Sequence, residues 1–110
     1  MKVHTALGQG LLDNAYRACL AHELATRGSA VKQEVPLPIT YAGQTLEVGY
    51  RLDLFVEDLI VVEIKAVESI APVHRAQLLS HLKLSKRPLG LLLNFNVVLL
   101  RDGIVRMRNG

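Results

Sequence analysis

Cysteine occurs once in these 110 residues, as Cys19, so the chain cannot close an internal disulfide, and the paired Cys and His spacings of a structural zinc site are missing too. Both absences fit a reducing compartment, and the expected location is the cytoplasm. Cys19 itself is expected as a small apolar residue buried on a helix. Aromatic residues form only 5% of the chain, which leaves few rings to stack on single-stranded nucleic acid. No apolar run approaches the roughly 20 residues of a membrane helix, and Met1 to Ala6 does not begin a charged and then apolar leader. No membrane is therefore expected among the partners. Repeats, low-complexity tracts and long Pro/Gly/Ser linkers are missing as well. Half the positions are apolar, enough for one core but not two, so residues 1–110 are expected to form a single domain.

Charge is present but unevenly placed. The formal net charge is only +3. Residues 1–68 hold nine acids and six Lys or Arg, a balance of −3, whereas residues 69–110 hold Asp102 and seven Lys or Arg, a balance of +6. The basic stretch suggests an anionic partner such as nucleic acid, although an ordinary solvated surface carries the same bias.

Periodicity gives the elements. Gly10 to Arg27 lacks proline and places Leu11, Leu12, Ala15, Cys19, Leu20 and Leu24 at spacings of three and four, with Gly28 as a C-terminal cap, the pattern of an amphipathic helix. Val31 to Tyr41 alternates like a strand, and its Pro36 and Pro38 point to an edge or a bend, with Ala42-Gly43-Gln44 as a turn. Glu47 to Val56 and Leu59 to Val67 are strand-like and so closely spaced that they must pair antiparallel. Pro72 opens a second helix through Leu84. Leu89 to Phe95 has the continuous apolar character of a strand buried on both faces, and Val97 to Arg101 with Ile104 to Arg108 suggests a terminal hairpin around Asp102-Gly103. The order αβββαβ predicts an α/β fold with a mixed central sheet flanked by helices and a short C-terminal β extension.

The central hairpin fixes its own register. Placing Leu52, Leu54 and Val56 on one face with Ile60, Val62 and Ile64 pairs Leu54 with Val62 and Val56 with Ile60, and leaves a three-residue loop at Glu57-Asp58-Leu59. The same register sets Asp53 opposite Glu63 and Arg51 opposite Lys65. Two facing carboxylates have Cβ atoms roughly 5 Å apart, a like-charge contact that destabilises a sheet unless a cation separates them. Oxygen ligands without Cys or His suit Mg²⁺ or Mn²⁺. Lys65, on the same face, is placed to orient a water or to stabilise charge developing on a phosphate. A charge ladder on a solvated sheet face is the competing reading of the same four residues, and spacing does not decide between them.

The chain resembles the PD-(D/E)XK nuclease superfamily, and within it the GxxExxY family, from about Leu7 to Arg106. The resemblance is carried by Gly10-Leu11-Leu12-Asp13-Asn14-Ala15-Tyr16, Ala21-His22-Glu23-Leu24, Pro36-Leu37-Pro38, Tyr50-Arg51-Leu52-Asp53, Glu63-Ile64-Lys65-Ala66, Ala76-Gln77-Leu78-Leu79 and Gly90-Leu91-Leu92-Leu93-Asn94-Phe95. It implies a restriction-endonuclease-like core and a metal-dependent phosphodiesterase site. Asp53, Glu63 and the Ile64 carbonyl are the implied metal ligands, Lys65 the catalytic lysine, and Asp13 and Gln77 the accessory acid and amide. The sequence departs from the family in having Asp13 where the motif has Glu, and His81 where a Tyr is expected. Asp13 has a second explanation, as an acid complementing the positive end of a helix dipole. Gln77 and His81 lie four apart and share a helix face, either as a polar patch turned to the site or as a satisfied boundary pair, the second being the favoured expectation for His81. His4, His22 and His74 have no ligand-like spacing, and Tyr16 is expected to pack at the core edge.

The expected function is therefore a Mg²⁺- or Mn²⁺-dependent nuclease acting on nucleic acid, DNA ahead of RNA. The alternative is a catalytically weak or inactive nuclease-fold module for nucleic-acid binding or partner docking. A homodimer or a partner subunit stays open, because 110 residues leave little beyond the core to grip a duplex.

Overall fold

The central hairpin forms in the predicted register and sits in the middle of a sheet. In the computed structural model, residues 13–47, 49–96 and 103–109 are described. The expected helix start at Gly10 to Leu12, and the strand expected at Val97 to Arg101 with the turn residue Asp102, lie outside them. Among the described residues the order is α1 (Asp13–Thr26), β1 (Val31–Pro36), β2 (Ile39–Tyr41), β3 (Gln44–Leu46), β4 (Arg51–Val56), β5 (Ile60–Lys65), α2 (Pro72–Ser85), β6 (Leu89–Asn94) and β7 (Ile104–Arg108). The main sheet runs β1-β4-β5-β6-β7, with β5 and β6 parallel across α2 and the other neighbours antiparallel. This is the expected α/β class, a mixed sheet flanked by helices with a C-terminal strand.

The expectations for Val31 to Tyr41 and for Cys19 are corrected. The single strand expected over Val31 to Tyr41 breaks at Leu37. Pro36 and Pro38 have no N–H to give a ladder, and the Leu37 N–H donates to the Tyr50 carbonyl at 2.8 Å. Beyond that break, β2 and β3 pair with each other as a separate two-stranded sheet, with Gly43 at φ +75° in its turn. The expected C-terminal extension is present, and Ile104–Arg108 pairs with β6, Leu89 opposite Arg108 through Leu93 opposite Ile104, so it completes the main sheet by covering the open edge of a buried strand. Cys19, expected to be buried, is exposed. The buried stripe of α1 runs through Tyr16, Leu20 and Ala21, and Cys19 falls outside that face.

Helix ends are set by local chemistry. α1 ends at Thr26 and is capped by Gly28 at φ +92°, where the Gly28 N–H donates to Ala25 O at 3.0 Å and the Ser29 N–H to Leu24 O at 3.0 Å. α2 starts at Pro72, and His74, expected to have no role, accepts the Ala71 N–H on Nδ1 at 2.9 Å. Lys86, left-handed at φ 59°, ends it.

Each face of the sheet has its own core. Tyr16 and Ala21 of α1 pack with Leu54, Val62, Ile64, Leu93 and Phe95, and the Tyr16 and Phe95 rings stack at 4.5 Å. On the other side Leu78 and Leu82 of α2 pack with Phe55, Val61 and Leu92. Fully burying one such leucine contributes about 1.5–3 kcal/mol. Gly90 permits that contact, since a Cβ there would lie 2.9 Å from Leu78 Cδ1. One part of the predicted stripe fails. Leu52 joins the α2-side core while Leu54 stays on the α1 side. Across on β1, Glu34 takes a left-handed φ of 50°, and the pairing of β1 with β4 skips Glu34 and Asp53. The strands therefore twist at Asp53, where strict alternation ends.

Candidate active site

The β4–β5 ladder runs from Val56 opposite Ile60 to Leu54 opposite Val62 and goes no further. Asp53 and Glu63 are therefore not ladder partners as the sequence register had them. At this point the Ile64 N–H leaves the backbone ladder and donates to Asp53 Oδ2 at 2.7 Å. A side chain thus replaces a main-chain acceptor, and the sheet opens into a fork. The physical cause is the same local twist that turns Leu52 to the other face.

A cleft of about 480 Å³ fills the fork. Asp53 reaches it from the start of β4, Glu63, Ile64 and Lys65 from the end of β5, Gln77 from α2 and Asp13 from the first turn of α1. All six residues singled out by sequence thus line one cavity. The Ile64 side chain is buried in the α1-side core, so its contribution to the cleft comes from the main chain. Asp13 satisfies both of its readings, because it stands in the first turn of α1 and also lines the cleft. Gln77 is exposed at the rim.

The electrostatics follow from this crowding. The Asp53 carboxyl titrates above its ordinary value, mainly because burial disfavours the charged form. The Ile64 N–H opposes the rise, the Glu63 charge adds to it, Lys65 opposes it and Asp13 adds to it. Glu63 is only 4% exposed. Its Oε1 is hydrogen-bonded to Nδ1 of His81 on α2. Lys65 has no ion-pair partner among the described residues, and none of their buried side-chain polar atoms lacks a hydrogen bond.

His81 is thus not a mere boundary residue. It lines the cleft, holds one oxygen of Glu63 and lies against the Tyr50 ring, with centroids 5.8 Å apart. The signal was its four-residue spacing from Gln77, which puts both on the cleft side of α2. Tyr50, also in the lining, gave no signal beyond its position three residues before Asp53.

A family model for the PD-(D/E)XK nuclease superfamily matches residues 1–107. The chain belongs to the PD-(D/E)XK nuclease superfamily. Neither the curated proteins nor the solved structures compared with it give a significant match. PD-(D/E)XK nucleases generally use divalent metal ions, and the donors in this cleft suit one. No three His, Cys, Asp or Glu side chains converge as a ligand cluster among the described residues. Two carboxylates, Asp53 and Glu63, line the cleft together with Ile64, and hard cations of the Mg²⁺ type are commonly held by one or two carboxylates with water completing the shell. The neighbouring acids of this PD-(D/E)XK fork also raise the cost of ionising Asp53, which a cation would relieve.

Proposed function

We propose that the chain is a divalent-metal-dependent nuclease-like domain that hydrolyses nucleic-acid phosphodiester bonds at the Asp53, Glu63 and Lys65 cleft, with DNA ahead of RNA. The observation that carries this reading is the convergence of two carboxylates and a lysine where the sheet forks. Asp53, Glu63 and the Ile64 carbonyl would hold Mg²⁺ or Mn²⁺. Such an ion supplies charge for the phosphate oxygens and acidifies a water. Lys65 sits beside these acids with its ammonium free of any described ion pair, ready to orient the attacking water or to stabilise charge developing on the phosphate. Gln77 at the rim donates to the substrate backbone, and Asp13 adds a third carboxylate from the α1 side. Within the superfamily the reading places the chain in the GxxExxY family, as a single cytoplasmic domain acting as a homodimer or with a partner subunit.

Two measurements test it. Calorimetry should show Mn²⁺ binding to the parent and none to Asp53→Ala. Lys65→Ala should lower cleavage of a labelled oligonucleotide by roughly 100-fold or more, the scale for losing one group that stabilises transition-state charge. Identical calorimetric traces, or a Lys65→Ala protein that cuts like the parent, would remove the reading.

A non-catalytic binding or docking module has two observations in its favour. His81 already holds one oxygen of Glu63, and Asp13 is a methylene shorter than the acid of the family motif. Binding to nucleic acid that falls steeply with salt, without cleavage under any divalent metal, would select this second reading.

A further inference from the structure

The chain has five aromatic residues, three Tyr and two Phe, and no tryptophan. Tyr16 and Phe95 stack inside the α1-side core, and Phe55 is buried beneath the Arg87 guanidinium. Tyr41 stands on the separate β2–β3 hairpin. Tyr50 differs from all of these, being 47% exposed while lining the catalytic cleft.

Its main chain is anchored by the Leu37 N–H on the Tyr50 carbonyl, and one side of its ring rests on His81. The ring is therefore presented from a fixed position. From α2 the same cleft receives Val73, 57% exposed, and Ala76. Apolar surface from two elements thus meets in a cavity whose cations are Arg51 and Lys65. A volume of about 480 Å³ falls within the range of sites that enclose a small organic group, roughly 300–1,000 Å³. Flat apolar surface beside cations matches a nucleotide, with a π-face at one end and an anion at the other. A base paired within a duplex has both faces covered by its neighbours and offers none to a tyrosine.

We propose that the cleft takes an unpaired nucleotide, its base stacked on Tyr50 and its phosphate drawn to Arg51 and Lys65, so that the substrate class is single-stranded or frayed nucleic acid. The identity of the ligand rests on the nuclease reading, but the contact itself is independent of turnover.

The test measures binding, by fluorescence anisotropy of a short oligodeoxythymidine, its duplex, and an abasic strand of equal length, in Ca²⁺ and again in EDTA. The single strand should bind more tightly than the other two. Tyr50→Ala should weaken it by roughly 5- to 100-fold, the range for one stacked base, and leave the abasic strand unchanged. Tyr50→Phe should bind like the parent, and comparison of the two should assign to Tyr50 a quench of tyrosine emission that no tryptophan obscures. The proposal is overturned if the duplex or abasic strand binds as well as the single strand, if Tyr50→Ala has no effect, or if Tyr50→Phe loses as much as Tyr50→Ala. Tyr50 would then serve a protein contact or the hydroxyl alone. Failure of the nuclease reading would appear separately, as binding of the expected pattern with no cleavage in Mg²⁺ or Mn²⁺.

Discussion

The β4–β5 hairpin carries two acids at each end, and the pairs differ in exposure and in crowding. At the closed end Glu57 and Asp58 both adopt left-handed backbone, φ 57° and 51°. That conformation is uncommon for such residues, and neighbouring contacts support it. The Glu57 N–H donates to Ala30 O at 2.7 Å, Glu57 Oε1 accepts the Ala30 N–H at 3.0 Å, and Asp58 pairs with Lys32 at 2.9 Å. These carboxylates face water and have partners. At the open end Asp53 and Glu63 are withdrawn from water and crowd one another, with Asp53 pushed up as a result. Acids that stabilise a turn are found where charge is easily solvated, and acids that crowd where charge is disfavoured suggest that something else completes the site.

Metal binding should separate the two ends most strongly. With Mn²⁺ at a hundred times its dissociation constant, the parent should gain about 2.7 kcal/mol of stability. Glu63→Gln keeps an oxygen for His81 but removes the charge, and should lose most of that gain. Glu57→Gln keeps its acceptor for the Ala30 N–H and should retain all of it. Thermal melts with and without Mn²⁺ measure both, and equal gains in the two variants would erase the distinction drawn between the ends.

A smaller effect belongs to Asp53 in metal-free protein. Its carboxyl titrates above the ordinary 3.8 in the folded state, so folding disfavours the charged form. The penalty is fully present above the folded pKa and relieved as pH falls towards 3.8 and below. Asp53→Asn retains an oxygen for the Ile64 N–H and should therefore melt a few degrees above the parent at pH 7, with the difference closing in acid. A gain that persists unchanged to pH 3 would have to come from packing. Mn²⁺ should reverse the order at neutral pH, because only the parent can use the ion.

Much of this was legible in the sequence because strict alternation leaves little choice. Leu54, Val56, Ile60 and Val62 fix the register and hence the three-residue loop. Proline marked β1 as an edge and a bend, though not the separate β2–β3 sheet, whose short exposed strands carry no burial pattern. Leu52 was misplaced because a left-handed Glu34 on the neighbouring strand, not Leu52 itself, shifts the alternation. The basic half of the chain also misleads if mapped onto the site. Arg75, Lys83, Arg106 and Arg108 are exposed elsewhere on α2 and β7, whereas the cations of the cleft, Arg51 and Lys65, come from the acidic half. His81 was on the correct face of its helix, but only tertiary packing across 18 residues of sequence brings it to Glu63.

The smallest effect is expected at Asp58. Its pair with Lys32 has both side chains more than 60% exposed, and such pairs contribute about 0.2–1 kcal/mol because water screens the charges and two long side chains lose freedom. Asp58 also holds a left-handed φ that alanine adopts less readily than aspartate. Asp58→Asn is therefore the cleaner substitution, since it tolerates that backbone and removes only the charge. It should lower stability by no more than about 0.5 kcal/mol, less still in high salt, and leave Mn²⁺ binding and cleavage unchanged. A larger loss in denaturant titration, or any change in metal affinity, would mean that the turn and the fork are coupled through the hairpin and that the turn acids help to set the geometry of the site.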